Sequence, residues 1–280
     1  MKFGIDLHTH STASDGTLSP SELISLAKKS RLSAIALTDH DSVSGIAEAS
    51  EAAVNAGVEF VPGIELSTDY QGKELHVIGL YIDAGNKMLL EALDNFVRSR
   101  DDRNRKMITL LQKEGFDITE KKIKSFFGDC VMTRAHFARY LVHHGFVKDM
   151  KEVFSVYLGD GCRCYVDREK MHTCDAVRLI KNAGGIAILA HPVLYHYPEH
   201  SLRKLLREWK TAGLDGIEAI YSSNSLEEEK FFRKIAKEEH LALSGGSDFH
   251  GSNKPQISLG CGYGNMEIPY ELLTELKKLI

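Results

Sequence analysis

The stretch Asp6-Leu7-His8-Thr9-His10, with Asp15 a few residues later, decides how this chain of 280 residues is interpreted. Side chains alternate between the two faces of an extended strand, so His8 and His10 lie on the same face. Two neighbouring imidazoles near a carboxylate are typical of the start of a metal site. A similar pattern, Ser247-Asp248-Phe249-His250, stands near the other end of the chain. The two stretches together predict a metal site built from both ends of the sequence.

The composition is that of an ordinary globular protein, with 43% hydrophobic and 26% charged residues. The net charge of −4 provides no general attraction to nucleic acid or to anionic membranes, so a nucleic-acid substrate would have to be bound locally. We expect no secretory signal and no membrane span. The 5 cysteines lack a disulfide-type spacing, which predicts reduced thiols in a cytosolic protein.

Strand and helix signals alternate over the first hundred residues. Ser19-Pro20-Ser21-Glu22 predicts a capped helix start, with proline at the first helical position. Ala34–Leu37 predicts a buried strand, and Gly57 predicts the end of the next helix. The alternation returns at about His172. Repeated strand–helix units predict a mostly parallel sheet.

A block of helices interrupts this alternation. Its predicted segments are Lys87–Gly115, Thr119–Phe127, Thr133–His144 and Met150–Leu158. We therefore predict three parts: residues 1–98 and 172–280 form one barrel, and residues 99–171 form a helical insertion that acts as a lid. The basic cluster over Arg98–Lys106 also contains Asp101 and Asp102, which predicts a solvated helix face.

The predicted fold class is α/β, an irregular barrel of the (β/α)7 type with an all-α insertion, because about seven strand signals are present. Ligands and chemistry gather at the carboxyl ends of parallel strands. Candidate ligands follow that rule, being placed at or just past the ends of predicted strands: His8, His10, His40, Glu65, His191 and Asp248.

The complete candidate set contains nine side chains: His8, His10, Asp15, His40, Glu65, His76, His191, Asp248 and His250. Gathered in one cleft, these groups would disfavour one another's ionised forms unless a cation lay among them. Nine ligands suit two or three ions, and imidazole with carboxylate fits Mn²⁺, Fe²⁺ or Zn²⁺. Clustered divalent ions generate a bridging hydroxide and stabilise a phosphoryl group during displacement. The set therefore predicts metal-assisted phosphoester hydrolysis.

Five motifs carry a resemblance to a known family. They are Asp-Leu-His-Thr-His-Ser-Thr-x-Ser-Asp-Gly at 6–16, Leu-Thr-Asp-His-Asp at 37–41, Gly-Ile-Glu-Leu-Ser at 63–67, Ala-His-Pro at 190–192 and Gly-Ser-Asp-Phe-His-Gly at 246–251. In kind and order they resemble the PHP (polymerase and histidinol phosphatase) family. With the segment Thr133–Arg139, the chain is most similar to metal-dependent phosphoesterases that act on nucleotides. That resemblance implies removal of the 3′-phosphate from 3′,5′-bisphosphonucleotides, or trimming of short RNA from the 5′ end.

The resemblance also implies roles for individual residues. One ion would be bound by His8, His10 and Asp248. Glu65 would bridge it to a second ion completed by His76 and His191, and a third would be bound by Asp15, His40 and His250. Glu65, His191 and Asp248 are the implied catalytic residues. Asp39, on the opposite face from His40, is expected to support the site or form a turn rather than bind metal.

Substrate recognition is expected in the helical insertion. Arg134, with His136 close by, is the candidate for binding a terminal phosphate, because guanidinium binds phosphate through two parallel hydrogen bonds. The alternative for Arg134 is a surface salt bridge. Related sequences imply a basic residue soon after His191-Pro192, where this chain has Val193-Leu194-Tyr195-His196.

The expected protein is thus a cytoplasmic hydrolase whose partner is a phosphorylated nucleotide or short oligonucleotide, with no membrane and no stable protein partner. Two alternatives remain. A histidinol-phosphate phosphatase would share the metal ligands, but the helical insertion is evidence against it. An inactive, metal-bound nucleotide-binding module is the alternative of another class, and the complete ligand set is evidence against that.

Overall fold

The computed structural model describes residues 4–128, 132–167 and 170–280, so Cys130 lies outside the described part. The chain divides into two compact units, Met1–Glu91 with Lys170–Ile280, and Ala92–Glu169. The predicted division at 98/99 and 171/172, and the role of the helical segment as a lid, stay predictions. Within the described residues, no helix has the length and apolar character needed to cross a membrane.

The strands all belong to the first unit: β1 (Ile5–Asp6), β2 (Ala34–Leu37), β3 (Glu59–Tyr70), β4 (Lys73–Leu80), β5 (Met171–His172), β6 (Ile186–Leu189), β7 (Gly216–Tyr221) and β8 (Ala242–Gly246). The helices are α1 (Pro20–Lys29), α2 (Ile46–Ala56), α3 (Lys87–Lys113), α4 (Glu120–Phe127), α5 (Arg134–His143), α6 (Met150–Glu152), α7 (Thr173–Asn182), α8 (Glu199–Ala212), α9 (Leu226–Glu238) and α10 (Tyr270–Leu276). A π-helical stretch, Val153–Leu158, follows α6, and 3₁₀ turns occupy Pro192–Tyr195, Gly251–Asn253 and Lys277–Leu279.

The sheet is nearly closed into a barrel. Its path runs β1-β2-β3-β4-β6-β7-β8, and β5 pairs with β3 beside that path. The ends of the path approach each other, because the Leu7 N–H donates to the Gly245 carbonyl at 3.2 Å and the Asp248 N–H donates to the His8 carbonyl at 2.9 Å. The predicted α/β barrel with about seven strands is confirmed.

One strand departs from the prediction of a mostly parallel sheet. β4 runs antiparallel to both β3 and β6, and the β3–β4 hairpin turns at Gln71-Gly72, where both residues have positive φ. A two-residue turn of this kind joins antiparallel strands directly, so no crossover helix is needed. Because β4 runs in reverse, its first half lies at the barrel edge where the neighbouring strands end. This reversal brings His76, paired with Ser67, to that edge.

Local signals at the helix ends are as predicted. The Glu22 N–H donates to Ser19 Oγ at 3.2 Å, and the Ser19 N–H donates to a Glu22 carboxylate oxygen at 2.8 Å, which is a complete capping box. Gly57 ends α2 in the left-handed region, with φ of 68°. These caps fix where the chain enters α1 and where it leaves α2 for the next strand.

Each unit has its own apolar core. The first unit packs the inner faces of its strands, with Ile5, Leu7, Ile78 and Ile188 fully buried. The second unit packs α3 to α5 and the π-helical stretch around a cluster that includes Met107, Leu111, Phe137, Leu141 and Val153.

The prediction of a solvated face on α3 is wrong for two of its arginines. Arg98 and Arg105 are exposed and pair with Asp94 and Asp102. Two others, Arg100 and Arg103, are buried, with 6% and 5% of their surface exposed. The helical period places Arg100 and Arg103 on the same face as Met107, which belongs to the core of the second unit.

A charged contact between α8 and the end of α9 predicts a pH dependence of stability. Arg207 donates to both Glu239 oxygens at 2.8 and 2.9 Å, and Arg203 donates to one of them at 3.1 Å. Hydrogen bonds from Arg207, then Arg203, lower the pKa of Glu239 to about 2. Because the folded pKa lies below the unfolded value, this stabilisation is complete at neutral pH and is lost as pH falls from about 4.5 through about 2.

We expect Glu239→Gln to lower the melting temperature by a few degrees near pH 7 and by much less near pH 3. Thermal unfolding followed by circular dichroism measures both values. Glu227→Gln, on the exposed first turn of α9, removes the same charge without a buried partner and serves as the control. An equal loss at both pH values would contradict the assigned contact.

Candidate metal centre

All nine predicted ligands lie in the first unit, at one edge of the barrel. Seven of them follow strands and belong to loops, and two lie within strands. The loop residues are His8, His10 and Asp15 after β1, His40 after β2, His191 after β6, and Asp248 and His250 after β8. The strand residues are Glu65 in β3 and His76 in β4. His76 reaches this edge because β4 runs antiparallel to its neighbours.

The Glu65 carboxylate is the centre of the cluster and is 1% exposed. Its Oε1 lies 2.8 Å from His76 Nδ1 and 2.9 Å from His191 Nε2. Its Oε2 lies 3.2, 3.2 and 3.1 Å from ring nitrogens of His8, His10 and His40. One carboxylate therefore faces five imidazoles.

Asp15 and Asp248 flank this centre. Asp15 Oδ1 lies 3.3 Å from His250 Nε2 and 3.9 Å from His40 Nε2. Asp248 Oδ1 lies 3.2 Å from His250 Nδ1 and 3.5 Å from His10 Nε2. Each aspartate thus connects ligands from different loops.

The other oxygen of Asp248 is held by two donors. Tyr221 donates its hydroxyl to Oδ2 at 2.7 Å, and Lys254 donates its ammonium group at 2.6 Å. These contacts turn Oδ1 toward the histidines and leave Oδ2 away from them.

The ligand atoms form four overlapping groups in which they lie within 4.8 Å of one another. The groups are His10, Asp15, His40 and His250; His8, Glu65 and His191; His8, His10 and Asp248; and His40, Glu65 and His76. His8, His10, His40 and Glu65 each belong to two groups. The assignment of ligands to individual ions therefore stays a prediction.

The donor atoms fit divalent cations. Five buried ring nitrogens make no hydrogen bond: His8 Nε2, both nitrogens of His10, His40 Nδ1 and His191 Nδ1. Leaving a buried polar atom without a partner costs about 1–3 kcal/mol, so a cluster of such atoms indicates an ion. Ligands on bonds of about 2.1 Å lie about 3.4 Å apart around a tetrahedral ion, close to the nitrogen–oxygen distances around Glu65. The residues present thus fit a metal centre.

Electrostatics also favour positive charge in the cluster. Burial alone would raise the pKa of Glu65, but neighbouring histidines, His40 and His8 foremost, hold it well below its usual range. Burial alone would lower the pKa of His10, yet Asp248 and Glu65 raise it to about 9. Protons on such imidazoles and metal ions compete for the same carboxylates.

The pKa values of His40 and His191 shift in the opposite direction to that of His10. Burial is the largest effect on each, and it lowers the pKa of His40 to about 3 and lowers that of His191 as well. Burial thus favours the neutral form of these two rings, which is the form in which imidazole binds metal.

Asp39 supports the neighbouring loop, as expected from the sequence. Its Oδ1 accepts hydrogen bonds from the Ser11 N–H at 2.7 Å and from Ser14 Oγ at 2.6 Å, and its Oδ2 accepts one from Ser11 Oγ at 2.7 Å. These serines belong to the loop between β1 and α1 and precede Asp15, so Asp39 fixes the approach of that ligand.

Sequence reasoning missed two buried carboxylates beside the site. Asp6 accepts the Ser247 N–H at 2.9 Å and the Gly260 N–H at 2.8 Å, which ties β1 to the loop of Asp248. Glu218 lies fully buried in β7 and contacts His8 and His191. The available signal was a charged residue inside the otherwise apolar strand Gly-Ile-Glu-Ala-Ile-Tyr.

The predicted phosphate-binding residues lie in the second unit. Arg134 Nη1 donates to Asp160 at 2.8 Å, and its guanidinium carbon lies 5.4 Å from the centre of the Tyr165 ring. His136 is buried, and its Nδ1 accepts the Thr133 N–H at 3.0 Å at the start of α5. His136 therefore caps its own helix, and a phosphate-binding role for either residue stays a prediction.

Known proteins resemble this chain over most of its length. The PHP domain family model matches residues 6–250. A 5′-3′ exoribonuclease from Haemophilus influenzae is 38% identical over 245 residues, covering 88% of this chain and 89% of that protein. A 3′,5′-nucleoside bisphosphate phosphatase from Chromobacterium violaceum is 38% identical over 257 residues, covering 91% of this chain and 90% of that protein.

A solved structure shares the architecture. A Bifidobacterium adolescentis protein assigned as a metal-dependent phosphoesterase superposes with a TM-score of 0.87 at 27% identity, covering 98% of this chain and 95% of that one. The fold and the cluster of histidines and carboxylates are those of a metal-dependent phosphoesterase. The chain belongs to the PHP domain family.

Replacing Glu65 by glutamine tests the centre. The amide keeps the size of the side chain but removes the charge that faces five imidazoles, so we expect the purified variant to contain much less metal and to lose phosphoesterase turnover. Metal content is measured by mass spectrometry after incubation with Mn²⁺ or Zn²⁺. Glu59→Gln is the matched control on the same strand, because Glu59 contacts Tyr270 and Lys277 instead of histidines. Full metal content in Glu65→Gln would contradict the central role of this carboxylate.

Proposed function

We propose that this protein hydrolyses phosphate esters of nucleotides, and that its substrate is a 3′,5′-bisphosphonucleotide losing its 3′-phosphate or a short RNA with a 5′-phosphate. The observation that carries the proposal is the cluster of nine ligands around Glu65. Membership of the PHP domain family supports it, as do two relatives named as a bisphosphate phosphatase and an exoribonuclease.

The nine residues would bind two or three ions of Mn²⁺, Fe²⁺ or Zn²⁺, the third through Asp15, His40 and His250. Bound ions would supply a water of lowered pKa and neutralise charge on the phosphoryl group. Glu65 and Asp248 provide the charge that keeps the ions in place. His191 completes the set of proposed catalytic residues through its contact with Glu65.

Exposure indicates where a phosphate would enter. The His40 and His76 side chains are 14% and 20% exposed, whereas the Glu65 side chain is 1% exposed. The cluster is therefore open on the side of these two rings. The Lys254 side chain, 35% exposed, adds a positive charge at the rim that favours an anionic substrate.

Arg134 is proposed to bind the terminal phosphate that is not cleaved. Its partner Asp160 is 77% exposed, and an ion pair of this kind contributes little to stability. A phosphate can replace that carboxylate, because both present two oxygens to the guanidinium fork.

We also place the protein in the cytoplasm. The described cysteines, Cys162, Cys164, Cys174 and Cys261, are free thiols. Free thiols are typical of a reducing compartment, which supports this location.

A phosphate-release screen tests the proposed function. The purified protein is supplied with Mn²⁺ and assayed on bisphosphonucleotides, 5′-phosphorylated oligoribonucleotides, sugar phosphates and histidinol phosphate. We expect release from the first two classes and none after chelation of the metal. Faster release from histidinol phosphate would favour the histidinol-phosphate phosphatase instead. Nucleotide binding without release under any metal would show an inactive module.

Arg134→Ala tests phosphate recognition in the second unit. Loss of a bidentate charged contact raises KM for substrates with a 5′-phosphate by about 10-fold or more, while an aryl phosphate lacking that group is hydrolysed as before. Steady-state kinetics on both substrates measure the difference. Arg163→Ala is the matched control, since Arg163 pairs with Glu114 on an exposed surface. An equal loss on both substrates would contradict the assigned role.

A further inference from the structure

Glu218 is a buried carboxylate that the proposed reaction does not use. It lies in β7 with 0% of its surface exposed, among apolar neighbours in sequence. A buried carboxylate is unfavourable unless partners satisfy both of its oxygens. The partners of Glu218 therefore indicate its role.

The first partner is the ring of His8. Glu218 Oε1 lies 3.0 Å from His8 Nδ1. This contact favours the tautomer with its hydrogen on Nδ1 and leaves the lone pair of Nε2 free. His8 Nε2 makes no hydrogen bond and lies 3.2 Å from Glu65. The contact thus presents His8 in the form that binds a metal ion.

The second partner is the backbone of His191. Its N–H donates to Glu218 Oε2 at 2.7 Å. His191 has φ of 28° and ψ of 58°, a conformation that residues other than glycine rarely adopt, and Pro192 follows it. The hydrogen bond stabilises this backbone and so directs the His191 ring to Glu65, 2.9 Å away.

We propose that Glu218 is a positioning residue for the metal centre, because it orients His8 and His191, which with Glu65 form one of the four candidate ligand groups. Its two oxygens orient two ligands that come from opposite parts of the sequence. Its charge also makes the His8 imidazole a stronger ligand. The inference rests on the proposed function only in requiring a metal ion at this group.

Glu218→Gln is the variant that tests the role. Glutamine keeps the size of the side chain but replaces one acceptor oxygen by an NH₂ donor, so it can satisfy only one of the two N–H groups. We expect Zn²⁺ to bind about 10–100-fold more weakly to the groups that contain His8 or His191, with the group of His10, Asp15, His40 and His250 unchanged. Titration against a competing chelator, with the metal content per chain, measures this. Glu59→Gln is again the control and should bind as wild type.

The His8 ring provides a second readout that does not depend on turnover. In the Zn²⁺-loaded, ¹⁵N-labelled wild-type protein, long-range proton–nitrogen spectra should show hydrogen on Nδ1 and metal on Nε2 of His8. In Glu218→Gln these ring signals should shift, while those of His250 stay in place.

Two results would overturn the inference. One is a folded Glu218→Gln protein with unchanged Zn²⁺ affinity and an unchanged His8 spectrum. The other, which needs no variant to fold, is a wild-type His8 ring that binds metal through Nδ1. Neither result depends on which phosphate ester is cleaved. Both can therefore be interpreted even if the proposed substrate class is wrong.

Discussion

The structure depends on one electrostatic constraint: the carboxylates of Asp15, Glu65 and Asp248 are buried together at one edge of the barrel. Ionised carboxylates taken out of water are costly unless cations and hydrogen-bond donors surround them. Six imidazoles supply those contacts, and their free nitrogens leave places that divalent ions fit. The loops at this edge are therefore arranged so that the buried carboxylates lie next to imidazoles.

Residues outside the ligand set hold the ligand loops in place through hydrogen bonds. Asp6 ties β1 to the loop of Asp248, and Asp39 fixes the loop that contains Asp15. Tyr221 and Lys254 restrain Asp248 itself. Each contact joins segments that are distant in sequence, so the ligand geometry is a property of the closed barrel and not of any single motif.

Much of the fold and of the candidate metal centre could be predicted from the sequence. The ligand pairs at 8–10 and 248–250, placed just after strands, located the centre because parallel strands deliver such residues to a common edge. The direction of β4 could not be predicted in the same way, because a short apolar run has the same pattern in parallel and antiparallel sheets. Burial of Arg100 was missed because charge was given more weight than its helical position. Glu218 was missed because its partners, His8 and His191, come from loops that are distant in sequence.

The hydrogen bonds that bring the segments of β1 and β8 together have a consequence for how the metal centre is assembled. Asp248 and His250 are the last ligands to be synthesised, and they meet His8 and His10 only when the final strand docks against the first. Without that contact, the centre lacks two of its nine ligands, and two of the four ligand groups are incomplete. Filling of these two groups thus depends on closure of the barrel, so folding and cofactor acquisition are coupled at this seam.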